Sequence, residues 1–393
     1  MEGKGCSVRL PREVTPPQPA DKPWTVLLTG STGSLGTHIL SSLQALPPTM
    51  IRKIYCLNRS EDAKQKQAAA LDFRGLPPLE EERVFFIKAT FGAPRFGLSE
   101  QSLKQLMTEI TLIIHNAWPV HFLMPLEGFR QHIEGVRDFL QFSYRSPRHP
   151  PFLYVSSLRI AYSSNMHQIP EEISYDLPAG GYSQSKYVAE RMVEAYVRST
   201  GLPAAVMRVG QIAGPVHGGG VWPPREWFPT LLRASQNIGA LLSTLGQHND
   251  IDWIPVDIVS QIIMEIAEYV IGRPARTGAS MVFNIANPAT VPFDSLLPHL
   301  TGIAINTVPC EEWVRLLQQS ATNRPTAPGT PGVKLLGLYK SAFTPGKSPF
   351  QTTTLNMTLA SKTARSLRPV NGLWLLRWLD QWGFPPPRAM AHL

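Results

Sequence analysis

A glycine-rich turn directly after a short apolar segment constrains the fold of this chain more than any other feature. Residues 26–29 (VLLT) have strand character, and Gly30, Gly33 and Gly36 follow in a G-x-x-G-x-x-G pattern. A helix-like segment, residues 37–45, comes next. Glycine permits a tight turn and close approach of the backbone to a pyrophosphate, while the N-terminus of a helix attracts phosphate. The pattern therefore predicts a nucleotide-binding turn.

Short apolar segments alternate with helical patterns through the first half of the chain. The apolar segments, rich in Val, Ile, Leu or Phe, are residues 25–28, 53–57, 83–88, 111–115, 152–155 and 204–208. The clearest helical patterns between them are residues 99–109, 126–143 and 182–199. This alternation predicts an α/β fold of the Rossmann type, with a doubly wound parallel sheet and helices on both faces. Such sheets bind nucleotides beyond the carboxyl ends of their strands.

Composition divides the chain into three regions. Residues 1–22 are rich in proline and polar residues and lack the apolar core of a signal peptide, so we expect a disordered leader or linker. Residues 23–215 carry the alternating pattern and form the expected Rossmann domain. Three glycines at 218–220 mark a break, and residues 216–393 are expected to form a smaller substrate-binding lobe with strands returning to the Rossmann core. Residues 322–349, rich in Pro, Gly, Thr and Ser, predict a long loop.

The positive charge of the chain is concentrated near its C-terminus. The formal net charge is +8, and residues 301–393 hold ten Lys or Arg but only three Asp or Glu. A basic patch can attract nucleic acid, an anionic membrane or an acidic protein. No nucleic-acid motif accompanies it, which favours an acidic protein partner or an anionic substrate. A merely solvated basic surface stays open as an alternative.

Two further features argue against a membrane-spanning protein and against a disulfide-stabilised one. No apolar run approaches the roughly 20 residues that a membrane helix needs. The three cysteines, Cys6, Cys56 and Cys310, are too few for a disulfide framework, so a reducing compartment, the cytoplasm, is expected.

The end of the second expected strand bears on the choice of cofactor. In a Rossmann fold, a carboxylate there binds the ribose 2′-hydroxyl of NAD, whereas an arginine accommodates the 2′-phosphate of NADP. This strand ends in Asn58 and Arg59, with no acidic residue. Because a guanidinium matches the geometry of phosphate, we expect NADPH. The alternative is a solvent-exposed arginine at a strand end.

Three residues form a candidate catalytic set. Tyr182 and Lys186 are four residues apart and share one face of an expected helix. Lys186 can hold a ribose and lower the pKa of Tyr182, which can then donate a proton to an oxygen that gains negative charge. A hydroxyl at the end of the strand at residues 152–155 would complete the set. We choose Ser157, with Ser156 as the second choice.

Together these motifs resemble the extended short-chain dehydrogenases/reductases. More narrowly, the chain resembles the terminal thioester reductase domain of fungal non-ribosomal-peptide-synthetase-like carboxylic acid reductases and the related aminoadipate reductases. The resemblance covers roughly residues 24–384. It rests on IYCLNR at 54–59, IHNAWPV at 114–120, RVGQIAGP at 208–215, DWIPVD at 252–257 and WLDQWGF at 378–384.

The resemblance implies a role for each motif. Ser157, Tyr182 and Lys186 would be catalytic, and Arg59 would hold the 2′-phosphate. The other cofactor-binding residues would be Gly30, Thr32, Gly33, Leu35 and Gly36 at the pyrophosphate, Asn116 and Ala117 along the adenosine and ribose, and Val209, Gly210 and Ile212 over the nicotinamide. In one departure, the third strand ends in Ala89-Thr90-Phe91, where the family has Ala-Asp-Leu. Thr90 can still form a hydrogen bond near the adenine but carries no charge.

The resemblance also implies a reaction and a partner. The chain would use NADPH to release an acyl, peptidyl or polyketide thioester from a phosphopantetheinylated carrier domain as an aldehyde, and a second turnover could give the alcohol. Carrier domains are generally acidic, so the basic residues after 301 are expected to dock one. No metal is expected, because no His/Cys/Asp cluster has ligand spacing. His115 and His121 are interpreted as structural, and a monomer is expected.

Other functions stay open at this level. They are a reductase of free aldehydes or ketones, a non-redox Dieckmann-type release domain, a sugar-nucleotide epimerase or dehydratase, and a non-catalytic dinucleotide sensor. Trp222, Trp227 and Phe228 could line the acyl pocket or simply pack in the core.

Overall fold

The fold was examined in a computed structural model, which describes residues 23–161, 168–173, 176–271, 281–323, 332, 336–343 and 350–387. Its centre is a parallel sheet of seven strands with the order β7-β6-β5-β4-β1-β2-β3. The strands are β1 (Trp24–Thr29), β2 (Ile51–Asn58), β3 (Val84–Lys88), β4 (Leu112–His115), β5 (Phe152–Ser157), β6 (Ala204–Val209) and β7 (Met281–Ile285).

Helices cover both faces of the sheet and build the second half of the molecule. They are α1 (Ser34–Ala45), α2 (Ala63–Phe73), α3 (Glu100–Glu109), α4 (Arg130–Arg145), α5 (Gly181–Thr200), α6 (Trp227–Ile238), α7 (Val256–Ile271), α8 (Cys310–Asn323), α9 (Leu336–Ala342), α10 (Leu355–Ala360), α11 (Lys362–Arg365) and α12 (Gly372–Gln381). Short 3-10 helices occur at Pro94–Gly97, Leu126–Phe129, Leu158–Ile160, Gly246–His248 and Phe293–Leu300.

Within the described residues, four small two-stranded sheets supplement the large one. They pair Gln168–Ile169 with Gln351–Thr352, Ile212–Ala213 with Ile254–Pro255, Ala240–Leu242 with Asn306–Val308, and Asp250–Ile251 with Val291–Pro292.

The order of the strands determines where a ligand can bind. β1 pairs with β2 on one side and with β4 on the other, so the direction of winding reverses between β1 and β4. A crevice opens at such a switch point, beyond the carboxyl ends of the strands. The α/β Rossmann fold predicted from the alternating pattern is confirmed, and all six predicted strands are present.

The sequence predicted that strands of the second half return to the Rossmann core, but it did not locate the seventh strand. β7 pairs with β6 in parallel register, from Met281 opposite Ala205 to Ile285 opposite Val209. Its polar Asn284 interrupts the apolar pattern, yet this side chain is fully buried and donates hydrogen bonds to backbone oxygens from two other segments. The second half of the chain therefore completes the main sheet. The division at residue 216 itself stays a prediction.

The predicted loop at residues 322–349 is corrected in part. Leu336–Ala342 forms α9, and Tyr339 in its middle is fully buried against Trp313, with the ring centroids 5.4 Å apart. The sequence did not predict this helix for two reasons. The proline and glycine around it are typical of a loop, and an element of seven residues is too short to show a helical period of apolar residues. The rest of 322–349, apart from the end of α8 and residues 332 and 343, lies outside the described residues, as do residues 1–22.

An aromatic cluster forms the core beneath the second half. Trp222 is 1% exposed and meets Trp253 and Trp378 edge-on, at centroid distances of 5.5 and 5.1 Å. Phe228 is fully buried and packs on Trp222. Of the two interpretations of Trp222 and Phe228, core packing is therefore the one that the structure supports. Trp227 is half-buried, and its indole N–H donates to Gln211.

Candidate functional site

Two glycines of the glycine-rich turn are required by the packing of the protein itself. Gly30 has a positive φ of 69°, and a Cβ there would lie 2.9 Å from the backbone of Ala117. A Cβ on Gly36 would lie 2.0 Å from the carbonyl oxygen of Gly30. Any side chain at these positions would separate α1 from the ends of β1 and β4.

Gly33, the middle glycine of the pattern, faces open space. Gly33 is exposed, and a Cβ there would meet only the Gly30 oxygen, at an ordinary contact distance of 3.4 Å. It is the N-cap of α1 and supplies no side-chain hydrogen bond to the first turn. A helix start without a side-chain cap leaves its N–H groups available to a phosphate. The turn therefore fits a dinucleotide pyrophosphate, with half-buried Thr32 and buried Leu35 on either side.

The end of β4 is tied to the glycine-rich turn. The hydroxyl oxygen of Thr29 accepts the backbone N–H groups of Asn116 and Ala117, each at 3.0 Å. Its own proton then points to Nδ1 of His115, 2.9 Å away, so His115 carries its proton on Nε2. The Asn116 amide also donates to the oxygen of Gly30. These bonds hold residues 116–117 at the β1–β4 switch point, and their contact with the adenosine and ribose of a cofactor stays a prediction.

Arg59 and Thr90 lie at the ends of β2 and β3, on the far side of the glycine-rich turn. Both are exposed. Arg59 forms no hydrogen bond or ion pair within the part of the chain that the structure describes. Burial lowers the pKa of His132 to about 4, and the charge of Arg59 adds to this shift. This position suits the adenosine end of a cofactor that runs along the ends of the strands.

Ser157 and Tyr182 meet at the end of β5. Ser157 is the last residue of the strand, and Tyr182 lies in the first turn of α5 with 7% of its surface exposed. Burial raises the pKa of Tyr182, while a hydrogen bond with Ser157 and the charge of Arg159 act against this rise. The net effect is a raised pKa, so the phenol is protonated at neutral pH and can donate.

Ser156, the second choice for the catalytic hydroxyl, is engaged elsewhere. Its hydroxyl donates to Oε1 of Glu190 at 2.5 Å. Glu190 forms a buried ion pair with Arg208, 2.7 Å away. Successive side chains of a strand point to opposite faces, so Ser156 stabilises this ion pair while Ser157 faces Tyr182.

Lys186 is held in an aromatic environment. Its ammonium group is fully buried, donates to the Val155 oxygen at 2.7 Å, and lies 4.4 and 4.9 Å from the ring centroids of Trp118 and Tyr154. Burial lowers the pKa of Lys186 well below its usual value, and the charge of Glu190 opposes this shift.

The three residues predicted to cover the nicotinamide lie at the end of β6 and just after it, beside the end of β5. Val209 is opposite Ser157 in the register of β5 and β6. Gly210 donates its N–H to Ile285 at 2.9 Å, and a Cβ there would lie 3.1 Å from Leu158. Ile212 pairs with Ile254 in a small sheet. The structure thus brings together the two halves of the predicted site, the glycine-rich turn at β1 and the hydroxyl pair at β5.

Sequence reasoning missed several residues around this centre. Trp118, Tyr154 and Phe122 surround Lys186 and Tyr182, and Arg159 lies beside Phe122. Trp118 stands in a segment that contributed to the resemblance, but its contact with Lys186 arises only when β4 and α5 are packed together. Among the described residues, no group of three or more His, Cys, Asp or Glu could hold a metal ion.

The family of the chain follows from comparison with known proteins. Residues 28–263 match the model of an NAD-binding family described as "Male sterility protein". The match spans more than half of the chain, so the chain belongs to this family. No helix among the described residues is long and apolar enough to cross a membrane.

Similar proteins of known name indicate which class of reductase the chain resembles. A carboxylic acid reductase of Neurospora crassa is 32% identical over 379 residues, which is 94% of this chain and 36% of that protein. The adenylate-forming reductase Nps9 of Serpula lacrymans is 33% identical over 340 residues, covering 80% of this chain and 30% of the relative. The chain spans about a third of the length of these relatives.

Solved structures share nearly the whole fold. The terminal R domain of the myxalamid PKS-NRPS biosynthetic pathway has a TM-score of 0.75 and 25% identity, covering 97% of this chain and 93% of its own. A thiolation-reductase di-domain of an archaeal non-ribosomal peptide synthetase has a TM-score of 0.62 and 20% identity. The match covers 94% of this chain and 73% of the di-domain. The chain is thus an oxidoreductase domain that uses a nicotinamide cofactor, and its resemblance to thioester reductase domains is confirmed.

Proposed function

We propose that this chain reduces an acyl thioester, presented by the phosphopantetheine arm of a carrier domain, to the free aldehyde with NADPH. The observation that carries the proposal is the hydrogen-bonded pair of Ser157 and Tyr182 at the end of β5, in the same crevice as the glycine-rich turn. The carboxylic acid reductase and the R domain among its relatives support the same chemistry.

The side chains of the crevice account for each step of the reduction. NADPH, held by the glycine-rich turn, Arg59 and Lys186, would supply a hydride to the carbonyl carbon of the thioester. Ser157 and Tyr182 donate hydrogen bonds to the carbonyl oxygen as it becomes negative, and Tyr182 then transfers its proton to that oxygen. As the C–S bond of the resulting hemithioacetal breaks, its hydroxyl proton returns to the tyrosinate of Tyr182, and the departing thiolate of the arm takes up a proton from solvent. The products are an aldehyde and the thiol of the arm. No protein nucleophile is required.

Lys186 has a different part. Its buried ammonium group is already oriented by Val155 and by the two aromatic rings. Lys186 can therefore hold the nicotinamide ribose with little loss of side-chain entropy on binding. The influences on the pKa of Tyr182 in the structure are burial, Ser157 and Arg159, so the effect that the sequence predicted for Lys186 on this phenol stays a prediction.

NADPH, rather than NADH, is the cofactor that we propose. Arg59 is exposed at the end of β2 and forms no ion pair within the described residues, so its guanidinium is available to a phosphate. The described residues at the ends of β2 and β3 include no carboxylate at the position that would bind a ribose 2′-hydroxyl.

A carrier domain is the partner that we propose. The archaeal structure with the same fold is a thiolation-reductase di-domain. Exposed cations on this chain include Lys362 and Arg368, in and just after α11. An acidic carrier would be attracted to such a surface over a distance of about 10 Å at ordinary ionic strength.

The proposal is tested by NADPH oxidation at 340 nm with a panel of acyl thioesters and the matching free aldehydes. We expect thioester-dependent oxidation in the wild type and a loss of at least about 100-fold in kcat for Tyr182→Phe. Tyr144→Phe, on α4, is the matched control. Oxidation with free carbonyl compounds alone would assign a stand-alone reductase. Cofactor binding without oxidation would favour a non-redox release domain.

A further inference from the structure

The loop after β4 brings an exposed aromatic ring to the catalytic tyrosine. The ring of Phe122 meets that of Tyr182 edge-on, with centroids 5.2 Å apart, and Phe122 is 44% exposed. The far end of the loop is packed on the start of α5, because a Cβ on Gly181 would lie 2.3 Å from the oxygen of Met124. Phe122 is therefore held at the mouth of the crevice.

Arg159 connects this loop to the catalytic hydroxyls. Its guanidinium carbon lies 4.3 Å from the centroid of the Phe122 ring, a cation–π contact. Its backbone N–H donates to the hydroxyl of Ser157, and its carbonyl accepts the hydroxyl of Ser183 on α5. One residue therefore touches the end of β5, the first turn of α5 and the loop.

The loop is unusually apolar for an exposed segment. Val120 is 69% exposed and Leu123 is 90% exposed, so three large apolar side chains face solvent within four residues. An exposed apolar patch of this kind usually marks a binding site. The neighbouring Phe129 is fully buried and meets the ring of Tyr182 edge-on, with the centroids 6.1 Å apart.

The position of the patch indicates what would cover it. A thioester carbonyl bound by Ser157 and Tyr182 must place its acyl group beside the ring of Tyr182. Of the two phenylalanines that contact this ring, Phe129 is fully buried and Phe122 is exposed, so we expect the acyl group to extend past Phe122. The phosphate of a pantetheine arm lies at the opposite end of the arm from the thioester, so it does not reach this point.

We propose that Phe122, positioned by Arg159, is the floor of the acyl subsite, and that this subsite takes apolar acyl groups. The inference rests on the proposed thioester reductase function and adds a substrate class to it. Arg159 acts as a positioning residue: it holds Phe122, and its charge also acts on the pKa of Tyr182.

The test uses pantetheine thioesters with saturated acyl chains of two to ten carbons. In the wild type, kcat/KM is expected to rise by about threefold for each added methylene until the patch is covered. Phe122→Ala should lower kcat/KM for the longest chain by about tenfold or more and for the acetyl thioester by less than about twofold. Phe73→Ala, at an exposed phenylalanine on α2, is the matched control.

Arg159 is tested through its coupling to Phe122. Arg159→Gln should reproduce the loss with long chains, Arg159→Lys should retain part of the activity, and the Phe122→Ala/Arg159→Gln double variant should be no worse than the poorer single variant. Arg137→Gln, on α4, is the control for removing an arginine. Unchanged dissociation constants for NADPH would show that each variant folds.

Binding of unreactive amide analogues, measured by calorimetry, separates the inference from the proposed function. Chain-length-dependent binding that is lost in Phe122→Ala supports the acyl subsite, even if no thioester is reduced. A flat chain-length profile in the wild type, or a dependence that survives in Phe122→Ala, would overturn it. A preference for anionic acyl groups that disappears in Arg159→Gln would also overturn it, since Arg159 would then bind substrate directly.

Discussion

At the scale of single residues, the chemistry of the site depends on which of two adjacent hydroxyls faces the tyrosine. Ser156 and Ser157 cannot be distinguished by residue type, and the sequence reasoning chose between them by spacing. In the structure, Ser156 bonds to the buried pair of Glu190 and Arg208, whereas Ser157 bonds with Tyr182. Removal of one member of such a buried ion pair would leave an uncompensated charge.

The role proposed for Arg59 makes a direct prediction. Arg59→Asp should raise KM for NADPH by about 10- to 100-fold, because a charge-assisted contact with the 2′-phosphate is lost and a repulsive charge replaces it. KM for NADH should change far less. Steady-state kinetics with both cofactors measures this. An equal change in KM for the two cofactors would show that Arg59 does not bind the 2′-phosphate.

A second prediction concerns Glu226, which precedes α6 and accepts the indole N–H of Trp222 at 2.8 Å. Burial raises the pKa of Glu226 to about 7. Because the folded state binds this proton more tightly than the unfolded state, the stabilisation by protonated Glu226 is present below the ordinary pKa of glutamate. It is lost as the pH rises through about 7.

Glu226→Gln should remove this part of the pH dependence. Between pH 5 and pH 8, the fall in the free energy of unfolding should be smaller in the variant than in the wild type by about 2 kcal/mol. Urea denaturation at the two pH values measures the difference. Parallel pH profiles for the two proteins would contradict the assignment.

At the scale of elements, the glycine-rich turn shows how one motif serves packing and binding at once. Gly30 and Gly36 allow β1, α1 and β4 to approach closely, whereas Gly33 leaves space in front of α1. Sequence spacing predicts the motif as a whole but not this division of labour, which depends on the backbone that each Cβ would meet.

The division can be tested with two alanine variants. Gly36→Ala should lower the free energy of unfolding by about 3 kcal/mol or more, since its Cβ would overlap backbone. Gly33→Ala should leave that free energy within about 0.5 kcal/mol but weaken cofactor binding by about tenfold. Thermal denaturation and NADPH fluorescence titration measure the two effects. Equal destabilisation by both variants would contradict this account.

At the scale of the whole molecule, the first half of the chain was more predictable than the second. The strands of the sheet and the helix bearing Tyr182 follow from local apolar patterns. The strand at Met281–Ile285 and the helix at Leu336–Ala342 do not, because both are stabilised by distant segments more than by their own sequence. For the same reason, the contact between Arg159 and Phe122 had no signal in the sequence.

The charge distribution leads to a prediction at this scale. Lys362→Glu combined with Arg368→Glu should raise KM for a carrier-bound thioester by about tenfold at low ionic strength and leave that for a small free thioester unchanged. Lys104→Glu, on α3, is the control for a charge reversal away from the C-terminal region. Equal effects on both substrates would exclude these residues from docking.

The central claim is that hydride reaches the carbon of a carrier-bound thioester in this crevice. The most direct measurement is mass spectrometry of the product formed from an acyl-loaded carrier domain and NADPH that carries deuterium in place of both hydrogens at C4. We predict an aldehyde with one deuterium on its carbonyl carbon, formed in the wild type and absent with Tyr182→Phe. A released product without deuterium, such as a cyclised acyl group, would contradict the account.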